Sequence, residues 1–274
     1  MGQKRVEVYK DRRNSGCWLA LIPLVALCFG AIMCVGAITA GLAAGLIRDV
    51  EVVQETFTEA RDGAETAQIE IETGVASVNI NALSDADNLF VGDITYYGEV
   101  DFTTGGEADR IVRLQQVDTE ENIFGIFDFL NVSSRDDIIW DIGLAQDIPI
   151  DLLISAGVQD TTLDLSGLIL SNVSLDLGVG EVDLTLPRPN TSYNVDINSG
   201  VGGITVDLPE GVAVRIEVTQ GVGDVNVSGL DQISADEDNP ASESGVWESA
   251  DYNNAETRIT VTIDGGVGDI TVRR

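Results

Sequence analysis

SLDLGVGEVDLTLPRPNTSYNVDINSGVGGITVDLP, residues 174–209, states one phrase twice. Gly178-Val179 and Gly200-Val201 stand 22 residues apart, and around each pair apolar residues recur at every second position. Extending the alignment gives six copies, at Gly74, Gly157, Gly178, Gly200, Gly221 and Gly266, with steps of 83, 21, 22, 21 and 45 residues. Around Gly178 the apolar set is Val173, Leu175, Val182 and Leu184, with polar Ser174 and Asp183 between its members. Alternation at period two predicts strands with one buried face. Each unit therefore reads as strand, glycine corner, strand. A single unit cannot bury its apolar face, so neighbours must stack. The glycine marks a bend that leaves no room for a side chain, and the valine after it is expected to re-enter the core. A phosphate-cradling glycine loop needs a helix behind it, whereas a strand follows here in every copy. These glycines read as architecture.

The fold class expected is all-β: a β-solenoid of ~21-residue, two-strand coils, preceded by one transmembrane helix. At that period residues 69–274 would form roughly ten coils, the steps of 83 and 45 residues being close to four and two periods. An antiparallel β-sandwich is the alternative, because hairpins also alternate at period two.

Charge is unevenly placed. The chain has 274 residues, 15 basic and 46 acidic, for a net charge of −31. Residues 1–16 carry +3 and Arg48 adds one, so residues 49–274 carry −35, with nine arginines and no lysine. Such a field repels nucleic acid and anionic lipid headgroups. Histidine is absent, which removes the usual general base and the imidazole metal ligand. Cys17, Cys28 and Cys34 all lie in one apolar run, so no thiol outside it can serve as nucleophile or metal ligand. An enzyme is not expected.

That run, Cys17 to Ile47, has 31 residues and no charge. About 20 apolar residues span a bilayer, and a signal-peptide core is shorter than this run. The basic cluster before it keeps the N-terminus in the cytoplasm and exports the acidic bulk. Gly41 and Gly45 have the small-xxx-small spacing through which two such helices could pack into a homo-oligomer. The organisation expected is a cytoplasmic tail over 1–16, a transmembrane helix over 17–47 and a polar neck over 48–68 that could contain one strand. The N-terminal half of the β domain then covers 69–133, and the regular repeats cover 134–274.

The run IPIDLLISAGVQDTTLDLSGLILSNVSLDLGVGEVDLTLP, followed by SGVGGITVDLP and QGVGDVNVSGL, resembles the toast-rack repeat family. This is the β-strand repeat domain of LiaF-like cell-envelope stress regulators and of proteins labelled "putative adhesin". LFVGDITYYGEVDF resembles the amino-terminal part of that domain, and the likeness covers roughly residues 65–274. It implies a membrane-tethered envelope protein and supplies no catalytic residues. Regulators of this kind carry several membrane helices; this chain has one.

The remaining candidate sites are few. Three positions after the glycine stand Ser77, Asp160, Glu181, Gly203, Asp224 and Asp269. Stacked along one edge, Asp160, Glu181, Asp224 and Asp269 could share calcium, which takes oxygen ligands; a solvated turn also favours aspartate. Phe124, Phe127 and Phe129 fall within six residues and could form a partner patch or a plug between the two halves. No cofactor is expected. The function expected is an adhesin-like or structural binding module of the envelope that meets wall polymer or protein. A membrane regulator of envelope-stress signalling is the alternative.

Overall fold

The computed structural model describes residues 52–85, 87–117, 138–158, 160–235 and 244–274. All belong to one compact unit, Val50–Arg274. The apolar run 17–47, with Gly41 and Gly45, lies outside the described residues, as do Phe124, Phe127 and Phe129. Among the described residues no helix is long and apolar enough to cross a membrane.

The all-β expectation holds. The strands form two large mixed sheets. The first contains β1 (Val52–Ala60), β4 (Asn88–Tyr97), β7 (Ile139–Leu144), β3 (Ser77–Ala82), β9 (Thr161–Asp164), β11 (Val182–Thr185), β13 (Ile204–Asp207), β19 (Ile270–Arg273) and β15 (Val225–Val227), in that spatial order. The second contains β16 (Asp231–Ala235), β17 (Gly245–Glu248), β14 (Ala213–Val222), β18 (Arg258–Val267), β12 (Tyr193–Val201), β10 (Ile169–Val179), β8 (Pro149–Val158), β2 (Thr66–Thr73), β6 (Asp109–Val117) and β5 (Glu99–Gly105). The middle six strands of the second sheet, β2 to β14, pair in parallel. So do β3, β9, β11, β13, β19 and β15 of the first. The ends are antiparallel: β1 on β4, β4 on β7, β5 on β6, and the β16–β17 pair on β14.

The period-two pattern produces this directly. In-register parallel pairing turns each apolar position into a column across the sheet. Ile69, Leu152, Val173, Val195, Val261 and Ile216 make one such column, and none is exposed. Opposite them, Ile80, Leu163, Leu184, Val206 and Val272 line the inner face of the first sheet. Each such burial contributes about 1.5–3 kcal/mol relative to exposure. Tyr193 enters the same core and donates its hydroxyl to Pro187 O at 2.8 Å. Burial pushes its pKa up, which keeps the phenol neutral.

The solvent face is built by the same register. Glu72, Ser155, Asp176, Asn198, Asp264 and Thr219 form an exposed column across the second sheet, so carboxylates fall on alternate strands. The neighbouring column is Glu70, Leu153, Ser174, Asp196, Thr262 and Glu217, and it too sets no carboxylate beside another. Like charges directly opposite are destabilising, and these two columns avoid them by alternating; at the antiparallel end Asp93 does stand opposite Asp141.

Two expectations need correction. The corners do not follow chain order. The second sheet runs β2, β8, β10, β12, β18, β14, so their glycines stand in the order Gly74, Gly157, Gly178, Gly200, Gly266, Gly221. After β15 the chain builds β16 and β17 at the end and then returns to insert β18 and β19 among strands already placed. Among the described residues the steps of 83 and 45 residues therefore hold no further glycine corners, and six corners stand there rather than about ten coils. Gly157 is a direct neighbour of Gly74 because β4, β5, β6 and β7 close the end instead. Within residues 48–68, Val52–Ala60 forms β1, paired with β4.

A glycine-lined corner as candidate functional site

Each corner links a strand of the second sheet to a strand of the first, and the six corners lie side by side. A Cβ added to Gly178 would stand 2.3 Å from the carbonyl oxygen of Gly157. The same contact recurs at Gly157, Gly200, Gly266 and Gly221, at 2.4, 2.6, 2.2 and 2.5 Å from the preceding glycine's oxygen. No Cβ fits there, because each corner backbone lies against the next. Gly74 is the exception: its nearest neighbour would be Gln116 Oε1 at 3.6 Å, an ordinary contact.

A second glycine column, two residues further on, escaped the sequence reading. Gly180, Gly202, Gly268 and Gly223 have φ of 152°, 144°, 147° and 139°. A Cβ on Gly202 would lie 1.7 Å from Gly180 O, and one on Gly268 1.9 Å from Gly202 O. The signal was available in the sequence, since the motif is GVG in four of six copies.

The corner amides are engaged from coil to coil. Gly180 N donates to Val201 O at 2.9 Å, Gly202 N to Val267 O at 2.8 Å and Gly268 N to Val222 O at 2.9 Å. Val182, Ile204 and Ile270 donate to the backbone of the next corner at 2.9 Å each. These donors have no hydrogen left for a phosphate, which agrees with an architectural reading of the glycines. Glutamines bound the stack at either end. Gln116 Oε1 accepts from Gly74 N at 3.1 Å. Gln220, buried, donates from Nε2 to Val222 O at 3.0 Å and also to Gly268 O. It occupies the space that a Cβ on Gly265 would need.

The valine after each glycine does not re-enter the core. Val158, Val179, Val201, Val267 and Val222 pair in register across five strands and are 39%, 47%, 46%, 49% and 65% exposed. Strict alternation would turn the valine inward with the second residue before it (Ala156, Leu177 and Ser199 are buried); the corner interrupts that alternation, and the valine crowns it instead. The result is an apolar stripe on the outside of an acidic domain.

Beside the stripe lies the acidic column. Asp160 Oδ1 accepts from Glu181 N at 2.9 Å, and Asp269 Oδ1 from Asp224 N at 3.0 Å. Gly203 separates the two pairs, because β13 lies between β11 and β19. These carboxylates thus reinforce the corner ladder. Among the described residues no three acidic, cysteine or histidine side chains gather to hold a metal ion.

Comparison with known proteins agrees with this geometry. Residues 48–207 match the family described as "N-terminal domain of toast_rack, DUF2154". Residues 169–272 match "Cell wall-active antibiotics response LiaF, C-terminal". A crystal structure from Clostridium sporogenes ATCC 15579, titled "putative cell adhesion protein", superposes with a TM-score of 0.65 at 25% identity, over 81% of this chain and 99% of that one. Another, from Bacteroides fragilis NCTC 9343 and titled "putative adhesin", covers 81% of this chain and 97% of its own at 9% identity, but its TM-score of 0.24 carries no argument. No protein of curated function matches the sequence. The first match spans more than half of the chain, and the chain belongs to the toast_rack N-terminal domain family.

Proposed function

We propose that the protein is a non-catalytic module of the cell envelope. Residues 17–47 tether it as a single-pass anchor with the acidic β domain outside the cell, and its coils, read as a β-solenoid, present long regular edges. Its work is adhesin-like or structural: it binds wall polymer or protein along the valine stripe. The observation that carries this reading is the stripe itself. Val158, Val179, Val201, Val267 and Val222 are five stacked apolar side chains left in solvent by a domain that buries every comparable column. An exposed apolar patch on a charged surface is the usual mark of a contact site. The reading requires no cofactor. Calcium would enter only as a bridge between neighbouring carboxylates such as Asp160 and Glu181.

The test is co-sedimentation with isolated wall sacculi, comparing the unaltered chain with Val179→Asn/Val201→Asn. Both positions are on the surface, so the melting temperature should stay within a few degrees while sedimentation falls about tenfold, a loss of ~1.4 kcal/mol. Unchanged sedimentation, or none with the unaltered chain, would remove the wall-binding reading.

A second reading rests on the match of residues 169–272 to the LiaF C-terminal family. In it the protein regulates envelope-stress signalling through a membrane partner that meets residues 17–47. Replacing Gly41 and Gly45 by leucine should then abolish cross-linking to that partner while leaving sacculus binding intact.

A further inference from the structure

Among the described residues each sheet has two outer strands: β1 and β15 in the first, β16 and β5 in the second. An open edge is a template for pairing with another chain, and proteins normally blunt it. Three of these four are blunted. β15 has three residues. β16 carries a register shift between Gln232 and Ser234. β5 sets Glu99 and Asp101 on its exposed face. β1 is blunted least: its one register shift, between Glu59 and Ala60, falls at its last residue. It has nine residues and pairs with β4 without interruption from Val52 to Glu59. One face presents Val52, Gln54, Thr56, Thr58 and Ala60, all exposed and all uncharged.

The other face of β1 holds its two carboxylates, and both are already engaged. Glu55 Oε2 accepts from the Tyr96 hydroxyl at 3.0 Å. Glu59 pairs with Arg110 at 3.3 Å, with both side chains largely buried at 15% and 16% exposure. Phe57, between them, stacks on Phe102 with ring centroids 5.2 Å apart. In a chain of net charge −31, this is a long edge strand whose charges have partners and whose open side is neutral.

We propose that β1 pairs antiparallel with β1 of a second copy of this chain, about a two-fold axis perpendicular to the sheet and centred on Thr56. Such an axis keeps the buried faces on one side, so residues of like parity oppose each other. Val52 then faces Ala60 of the second copy, Val53 faces Glu59, Gln54 faces Thr58, Glu55 faces Phe57, and Thr56 faces Thr56. No carboxylate meets a carboxylate. Sliding the strands by two residues either way places Glu55 against Glu55, or Glu55 against Glu59, and like charges directly opposite repel. Charge therefore favours this register over both two-residue slides. Two nine-stranded sheets would become one, and the exposed edge would disappear. This inference is independent of the valine stripe and of what it binds.

A register scan tests it. The full-length chain, with Cys17, Cys28 and Cys34 replaced by alanine, receives single cysteines at 54, 56 or 58 and is oxidised in its membrane. Thr56→Cys should form a disulfide dimer at least about tenfold more efficiently than Gln54→Cys or Thr58→Cys, whose copies would stand roughly 13 Å apart, beyond disulfide reach. The double variant Gln54→Cys/Thr58→Cys should restore the dimer, and it answers the question even if Thr56→Cys misfolds. A flat profile, as contact through the anchor alone would give, overturns the proposal. A maximum at another position overturns it, and so does the absence of dimer from all four variants.

Discussion

The parallel middle of the two sheets and their antiparallel ends face the same difficulty, an unpaired strand edge, and meet it with different residues. In the middle, every strand edge is satisfied by a near-copy of itself. The requirements there are sameness of register, an absent side chain at each corner and alternation of charge on the outer face. At the N-terminal end there is no copy to pair with, so the chain sets β4 antiparallel between β1 and β7, and β5 antiparallel on β6. It fills the space with Phe57, Phe90 and Phe102, whose rings lie 5.2 and 5.6 Å apart, and pairs Arg110 with Glu59. The middle depends on what is missing from its corners, whereas the end depends on bulk. The two regions should therefore respond oppositely to a small addition and to a large deletion.

The largest effect should come from adding one carbon to the middle. Gly202→Ala would place a Cβ 1.7 Å from Gly180 O on a residue with φ of 144°. Backbone cannot yield as a side-chain tip can, so the loss should be about 3–5 kcal/mol in urea denaturation. A loss below about 1 kcal/mol would mean that corner packing is looser than the in-register ladder requires.

A smaller effect should follow deletion at the end. Phe102→Ala removes the ring that joins Phe57 to Phe90. Because Phe102 is only partly buried, a loss of about 2 kcal/mol is expected, less than for a fully buried phenylalanine. Hydrogen exchange should locate it: amides of β1, β4 and β5 should exchange faster while those of β10 and β12 keep their protection. A uniform loss of protection would show that the end and the middle unfold as one unit.

The smallest effect should fall where the two regions meet. Gly74→Ala places its Cβ 3.6 Å from Gln116 Oε1, against a side chain from the end rather than another corner's backbone. Stability should change by no more than about 0.5 kcal/mol. A cost like that of Gly202→Ala would show that the corner demands glycine for its own conformation, and the role assigned here to the neighbouring backbone would fail.

The sequence made the strands legible because buried positions recur at period two, and Val173, Leu175, Val182 and Leu184 lie on the inner faces as that period requires. The order of the corners was not legible. Gly221 and Gly266 carry almost the same motif, and nothing local records that β18 enters between β12 and β14. Valine after the glycine was misread because apolar character was taken as burial. At a bend, backbone direction rather than residue type decides which way the side chain points, and Val222 ends 65% exposed. The second glycine column was present in GVG, but its necessity is a contact between strands distant in sequence, such as Gly202 with Gly268. For the site, the structure sets Asp160 beside Glu181 and Asp224 beside Asp269, with Gly203 between the pairs. The use of Asp160 and Asp269 as acceptors for the next corner's amide appears only in three dimensions.

The alternating column Glu72, Ser155, Asp176, Asn198, Asp264, Thr219 has a further consequence. Strands lie about 4.8 Å apart, so its carboxylates recur every ~9.6 Å. The screening length of water is about 8 Å at 0.15 M salt and about 30 Å at 0.01 M. At the first ionic strength each negative charge stands just outside its neighbour's reach; at the second the whole row acts as one. The face is thus a lattice of fixed charges with its spacing near the threshold, weakly self-repelling in saline and strongly so in dilute medium.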